Sequence, residues 1–385
     1  REPPGTVKPL DNPGGLILNP PQCGAPRGNR DFLIVVAEDF AYSTPLTQFV
    51  NAKTAQGFSV SVYRLTSGTS RDTIKAYIQS LWSGANAPDY LLLIGDALRQ
   101  TPLAGSFTVP QFNGGGAYQW GTDLPYACMD GPDDWYADIA YGRWPVRTVT
   151  ELQNIVNKSL YVDGGSYADP TYPKRAIFLS GPDELAQGEQ VQDEIVSMYM
   201  QPNGIESRKL YSRDGATTAD VTAGFNDGCV MAVYIGHSTF SQWHAPLFTD
   251  AHVSTLSNTN AYPLVISYSC VVGNFWYDTY DPVLMEHFLR VPEKGASAAY
   301  VTTMGNNYPW SCWHDIYRCK MAVLYNDRIR ELGPAFNAAV MRFVTLYGPS
   351  APVSRDFAEV FELLGDPSLR LPLPPPENYL IVTPP

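Results

Sequence analysis

Val230-Met231-Ala232-Val233-Tyr234-Ile235-Gly236-His237 and Pro263-Leu264-Val265-Ile266-Ser267-Tyr268-Ser269-Cys270 are two short apolar runs, each ending on a residue with acid-base or nucleophilic chemistry. Continuous apolar runs of this length, rich in β-branched and aromatic side chains, read as strands buried on both faces, the kind that builds parallel sheets. The segment between them carries a helical stretch near 251–256. One right-handed crossover sets the two strands side by side or nearly so. The His237 imidazole and the Cys270 thiol then face one crevice at the carboxyl ends of strands, where open parallel sheets gather ligands and catalytic groups.

The same alternation continues outward from this pair. Toward the N-terminus, Phe32-Leu33-Ile34-Val35-Val36-Ala37 reads as a buried strand, 43–56 as a helix stopped at Gly57, 59–65 as a strand, 70–82 as a helix opened by Ser70, and 90–94 as a strand. A loop-rich insertion over 99–138 follows, with Gly114-Gly115-Gly116 at its centre, then a helix over 148–162. Residues 164–173 mark the best boundary. Beyond it come a strand at 175–179, a helix at 184–199, a strand at 207–211 and a helix at 216–225. After Cys270 the pattern gives a helix at 282–289, a strand at 296–303, and closing helices at 312–330 and 334–347. Strands separated by helices imply an α/β protein with mostly parallel strands. The expected organisation is an extended lead-in over 1–30, an N-terminal α/β subdomain over 31–165, a second over 166–371, and a Pro-rich linker or the start of a further module over 372–385.

Composition narrows the function. Thirty-eight acidic against 26 basic residues give a net charge of −12, which disfavours a nucleic-acid binder that must neutralise phosphates. No apolar run reaches the ~18 residues that span a bilayer. Six cysteines in 385 residues are too few for a disulfide-built scaffold, and no Cys-x-x-Cys pair is present. Cys312 and Cys319, if they share one helix, are separated by a rise of ~10 Å and are expected to be unpaired. The start at Arg1-Glu2-Pro3-Pro4 has no charged and apolar leader, as in a cytosolic protein or a mature chain whose signal is gone.

A thiol nucleophile needs a lowered pKa or a nearby proton acceptor, and acyl transfer needs a group to protonate the leaving amine. Histidine does both near neutral pH. The structural alternative is a core thiol at Cys270 and a hydrogen-bonded strand-end histidine at His237. Metal catalysis is disfavoured, because His237, His244, His252, His287 and His314 form no His-Glu-x-x-His or comparable spacing. Gly114-Gly115-Gly116 lacks the Lys-Ser or Lys-Thr of a phosphate loop.

Gly236-His237 with Trp243 six positions on, followed by Ser269-Cys270-Val271-Val272-Gly273-Asn274-Phe275, resembles the catalytic core of the gingipains, bacterial cysteine endopeptidases with a caspase-like fold. Glu293-Lys294-Gly295-Ala296 leading to Asn306, Asn307 and Trp310, Leu364-Gly365-Asp366-Pro367-Ser368-Leu369, Thr122-Asp123-Leu124-Pro125-Tyr126, and Asp138-Ile139-Ala140-Tyr141-Gly142-Arg143 are similar to further segments of the family. The resemblance implies a three-layer fold with two adjacent, mostly parallel sheets flanked by helices. It implies Cys270 as nucleophile and His237 as general acid, with the backbone N–H groups of Cys270 and Ser238 as oxyanion hole. Ser238 departs from the family glycine at that position. If the position needs φ > 0, serine is strained there and the donor is turned aside, which opens a second reading: a weak or inactive relative serving as a surface or structural subunit.

The resemblance also implies an acidic partner for the histidine, Asp183 or Glu184, and an acidic pocket base, Glu189, which points to basic P1 residues. Asp183 and Glu184 have an alternative role as helix caps. Trp243 and Trp310 are placed among substrate-binding residues, Trp310 as an aromatic lid, for which a tryptophan packed in the core is the alternative. No cofactor is implied for catalysis. Asp123, Asp130, Asp133, Asp134 and Asp138 concentrate hard oxygen ligands in the insertion, which suits a structural calcium ion as carried by family members; a solvated acidic loop is the alternative. Protein or peptide substrates, a secreted or surface location, a propeptide and an immunoglobulin-like module outside this chain complete what the resemblance implies.

Overall fold

The computed structural model describes residues 30–83, 87–99, 101–115, 120–182, 187–305 and 308–374. Most of the lead-in, the end of the tail, and Asp183, Glu184, Asn306 and Asn307 lie outside the described residues.

The strands are β1 (Asp31–Val36), β2 (Ser59–Arg64), β3 (Tyr90–Ile94), β4 (Phe112–Asn113), β5 (Gly121–Thr122), β6 (Ala140–Trp144), β7 (Arg175–Ser180), β8 (Glu206–Tyr211), β9 (Met231–Ile235), β10 (Ser238–Thr239), β11 (Gln242–Trp243), β12 (Phe248–Thr249), β13 (Leu264–Tyr268), β14 (Ala298–Thr302) and β15 (Phe361–Leu364). The helices are α1 (Thr44–Ala55), α2 (Arg71–Trp82), α3 (Val149–Asp163), α4 (Gln187–Ile195), α5 (Thr218–Asn226), α6 (Asp250–Thr255), α7 (Leu284–Arg290), α8 (Trp310–Tyr325), α9 (Leu332–Tyr347) and α10 (Pro352–Val360). Local chemistry sets several helix starts. Ser43 and Ser70 accept from Leu46 N and Thr73 N, and Thr148 with Glu151 forms a capping box.

Ten strands form one sheet in the order β2-β1-β3-β6-β15-β14-β13-β9-β7-β8. Every pairing in it is parallel except β14 with β15. The central strands β1, β3, β9 and β13 are apolar and buried on both faces, which is why they read as continuous runs. Helices α1, α3, α7 and α6 pack in one row, and α4, α8, α9 and α10 in another, so the sheet lies in a three-layer α/β fold.

The two halves of the sheet meet at β15, joined to β6 by the single pairing of Leu364 with Arg143. The two adjacent sheets implied by the sequence are thus one continuous sheet with a narrow seam. Besides the two-residue strands, three elements were not legible in the sequence: β6 and β15 of the large sheet, and α10. Arg143 and Glu362 interrupt the apolar runs of the two strands, and the Gly348-Pro349 and Ala351-Pro352 steps resemble a loop. Both charges are buried and partnered. Arg143 forks onto Asp123 at 2.6 and 2.7 Å, and Glu362 accepts from Thr122 Oγ1 and Asp123 N.

Candidate active site

β9 and β13 are direct neighbours, with Ile235 opposite Tyr268. His237 and Cys270 each follow their strand by two residues, so both leave the sheet at the same level on its carboxyl edge. At Gly236 an added Cβ would lie 2.6 Å from the Tyr234 hydroxyl, which folds back to donate to His237 O at 2.7 Å. Glycine is needed there for that close approach.

After His237 the chain forms a small three-stranded sheet, β10-β11-β12, in which His244 N donates to His237 O at 3.0 Å. That bond makes His237 and His244 a hydrogen-bonded pair of the antiparallel ladder, so the next pair, Ser238 with Trp243, is not one. The Ser238 N–H therefore points out of the hairpin. Ser238 is extended, and the residues with left-handed backbone include Val271, at φ 52°, but not Ser238. Position 238 does not need φ > 0, so serine carries no strain there. The strain falls on the residue after the cysteine, where a β-branched side chain in the left-handed region costs ~1–2 kcal/mol.

Several bonds hold the cysteine turn. The Ser238 hydroxyl donates to Cys270 O, Val271 N donates to Met304 O at 3.2 Å, and Thr302 Oγ1 donates to Ser269 O at 2.5 Å. Successive N–H groups at the start of α7 reach both arms of the site: Leu284 N donates to Phe240 O at 2.7 Å and Met285 N to Val272 O at 3.1 Å. Phe240 of the histidine hairpin stacks on Tyr277 beyond the cysteine, with ring centroids 4.0 Å apart. The Gly305 backbone closes on the thiol, since a Cβ there would lie 3.4 Å from Cys270 Sγ.

Among the described cysteines, Cys128, Cys229, Cys312 and Cys319 are buried and free, and Cys270 is partly exposed. Burial pushes all four buried thiols up, Cys229 and Cys319 to about 12, which disfavours the thiolate that a nucleophile needs. Cys312 and Cys319 share α8 and are unbonded. His237 is exposed, with the Trp310 indole edge-on to its ring at 5.7 Å. On the other side Trp310 lies against His314, a buried imidazole that burial, with Arg318 nearby, pushes down to about 4.

Trp243 does not line the cleft. It is fully buried, stacked on Tyr234 at 4.6 Å, and its Nε1–H donates to Ser267 Oγ at 3.0 Å. It ties the histidine hairpin to the cysteine strand from below, and a substrate cannot reach it. Glu189 sits in the first turn of α4, partly buried, with Arg213 Nε at 3.9 Å. The neighbouring Gly188 packs on Ser180 and Ile235, so this turn covers the carboxyl ends of β7 and β9.

Asp130, Asp134 and Asp138 converge, each offering a carboxylate oxygen within 4.8 Å of the others. Asp123 is not with them, because both its oxygens are engaged by Arg143, and Asp133 is exposed outside the group. Asp96, Asp281 and Glu286 also converge, but Arg147 and Arg290 already fill that site with positive charge. The hydroxyls of Ser238 and Thr302 and the α7 brace had no signal in the sequence, since each acts across residues far apart in the chain.

The three-layer α/β fold, with a partly exposed thiol and an imidazole after adjacent parallel strands, places the chain by its fold in the caspase-like class of cysteine peptidases. The family model described as Peptidase family C25 matches residues 25–372, and the chain belongs to that family. It is 27% identical over 291 residues to Lys-gingipain HG66 of Porphyromonas gingivalis, covering 73% of this chain and 16% of that protein. It is 22% identical over 344 residues to Gingipain R2 of the same species, covering 85% of this chain and 44% of that protein. The crystal structure of the Arg specific cysteine proteinase gingipain R superposes with a TM-score of 0.77 at 19% identity, over 90% of this chain and 79% of that one. The chain thus spans a minor part of the curated relatives it matches. Among the described residues no helix is long and apolar enough to cross a membrane.

Proposed function

We propose that the protein is a cysteine endopeptidase acting through Cys270 and His237. The observation that carries this reading is the β9–β13 register, which brings the one partly exposed thiol among the described cysteines level with His237. The Cys270 thiolate attacks the scissile carbonyl carbon and forms a C–S bond. The oxyanion is received by the N–H groups of Cys270 and Ser238, donors of a kind often worth ~3 kcal/mol of barrier each. The C–N bond then breaks as His237 gives its proton to the leaving amine. Water attacks the thioester, the C–S bond breaks, and acid product and free thiol are released. The extended backbone of Ser238 removes the feature that favoured a non-catalytic subunit.

Glu189 supports a preference for basic P1 residues, with Arg213 offsetting part of its charge. Trp310 beside His237 serves as a wall of the substrate cleft. Asp130, Asp134 and Asp138 would hold a calcium ion, with water and carbonyl groups supplying the remaining oxygens. The ion would brace the insertion and takes no part in the chemistry. A secreted or surface location and a propeptide are inferred from the relatives, one of which, RgpB of Porphyromonas gingivalis, has been solved as a complex of its pro- and mature domains. Two subdomains, 31–165 and 166–371, are proposed to meet at the β15 seam.

The test is labelling with an irreversible thiol-directed peptide ketone, followed by mapping of the adduct. Labelling at Cys270 that disappears in His237→Ala supports the reading. No labelling with or without calcium overturns it. Fractionation of the producing cells decides the location, and a substrate-library profile decides P1.

A further inference from the structure

The two peptide units that flank the Cys270 side chain are each held at the carbonyl by a hydroxyl from another strand. Thr302, at the end of β14, donates to Ser269 O at 2.5 Å, and Ser238, at the start of β10, donates to Cys270 O. The Cys270–Val271 unit is also held at its other end, where Val271 N donates to Met304 O at 3.2 Å. A peptide group is planar, so anchors at opposite ends fix its orientation. That orientation is the one in which Val271 has a φ of 52°. Rotating this peptide by about half a turn would release Val271 toward the extended region and would break both anchors together. The strained turn therefore persists because its surroundings hold it, as is common at functional sites.

We propose that Ser238 is a positioning residue for the nucleophile: apart from any role of its backbone N–H, its hydroxyl holds the Cys270–Val271 peptide in the strained orientation that presents the thiol to His237. Thr302 does the same for the preceding peptide, which carries the Cys270 N–H. The serine and the left-handed valine form a matched pair. Valine supplies a reason for the peptide to flip, and the serine hydroxyl opposes it with a hydrogen bond of similar strength. The departure from glycine at 238 thus has a structural use here. This inference rests on the cysteine endopeptidase reading for its catalytic consequence, while its geometric content stands on the turn alone.

The experiment compares the wild type with Ser238→Ala, Ser238→Thr, and Ser238→Ala combined with Val271→Gly. Two readouts are used: the rate of Cys270 alkylation by iodoacetamide as a function of pH, and kcat and KM for a peptide cleaved by the wild type. Ser238→Ala is expected to slow alkylation and kcat by about tenfold, equivalent to about 1.4 kcal/mol, with KM within about twofold. Ser238→Thr restores most of both rates. In the Val271→Gly background the loss shrinks to less than about threefold, since glycine is unstrained at positive φ. Wild-type rates in Ser238→Ala, or an equal loss in both backgrounds, would overturn the proposal. If wild-type Cys270 alkylates no faster than glutathione and His237→Ala changes nothing, the peptidase reading fails. The alkylation difference between wild type and Ser238→Ala still decides the positioning role in that case.

Discussion

Replacing Arg290 by Met removes the cation at the centre of a buried ionic cluster and tests how the loops that carry His237 and Cys270 are braced. Arg290 is 4% exposed; its guanidinium donates to Pro145 O at 2.6 Å, to Asp281 at 2.8 Å and to Glu286 at 2.7 Å, with Asp96 at 3.6 Å. Glu151 and Arg147 complete the charges around it. Burial pushes the Glu286 and Asp96 carboxyls up, and Arg290 opposes the shift. Without Arg290, the buried Glu286 carboxylate loses its cation while Asp96 keeps Arg147, a change that typically costs ~3–5 kcal/mol. The sign with pH follows from linkage. The folded pKa values of Glu286 and Asp96 rise further above their unfolded values, so the variant is least impaired in acid and loses stability as pH rises through those values. Urea unfolding at pH 8 and pH 5 measures this. The midpoint is expected to fall by about 1 M or more at pH 8 and by clearly less at pH 5. Because the Leu284 and Met285 N–H groups at the start of α7 hold Phe240 O and Val272 O, and Glu286 accepts from Val283 N, Cys270 alkylation should slow as well. A deficit under ~1 kcal/mol, or one equal at both pH values, would refute the reasoning.

Lys320 lies in the core with its Nζ 4.0 Å from the Phe361 ring centroid and also over the rings of Tyr268, Tyr300 and Phe336, and burial pushes its pKa well down. Lys320→Met is expected to raise stability by ~1–3 kcal/mol near neutral pH. The gain should vanish toward pH 10, where the unfolded lysine also loses its proton; a gain independent of pH would count against a buried amine. Asp123→Asn leaves Arg143 buried without its carboxylate and should cost ~3–5 kcal/mol whether or not calcium is present. A loss seen only with calcium, measured by thermal melting, would return Asp123 to the metal site. Calcium in 100-fold excess over its dissociation constant should stabilise the wild type by ~2.7 kcal/mol, an effect lost in Asp138→Asn. Burial and the charges of Asp130 and Asp134 push the Asp138 carboxyl up, so calcium binding should weaken as pH falls through its raised pKa. Equal melting of wild type and Asp138→Asn across a calcium titration would rule the site out.

The layers of the fold and the placing of His237 and Cys270 after neighbouring strands were legible because they rest on short-range patterns. Apolar runs such as Tyr90–Ile94 and Leu264–Tyr268 mark strands buried on both faces, and Ser43, Ser70 and Thr148 mark helix starts. Chain order and crossover handedness then suffice to put His237 near Cys270. What the sequence could not supply depends on groups that meet from distant positions. Arg143 and Glu362 look like interruptions of a strand until Asp123 and Thr122, from the insertion, are seen to neutralise and satisfy them inside the core. The family resemblance placed Trp243 at the cleft, yet the hairpin turns it inward onto Tyr234 and Ser267. Ser238 looked like a strained substitution, and only the tertiary structure shows that the left-handed residue is Val271 and that the serine hydroxyl holds the peptide before it. Periodicity and local caps follow from neighbours along the chain and are written in it. Charge compensation, side-chain direction and backbone strain are set by contacts that exist only once the sheet has brought its two halves together.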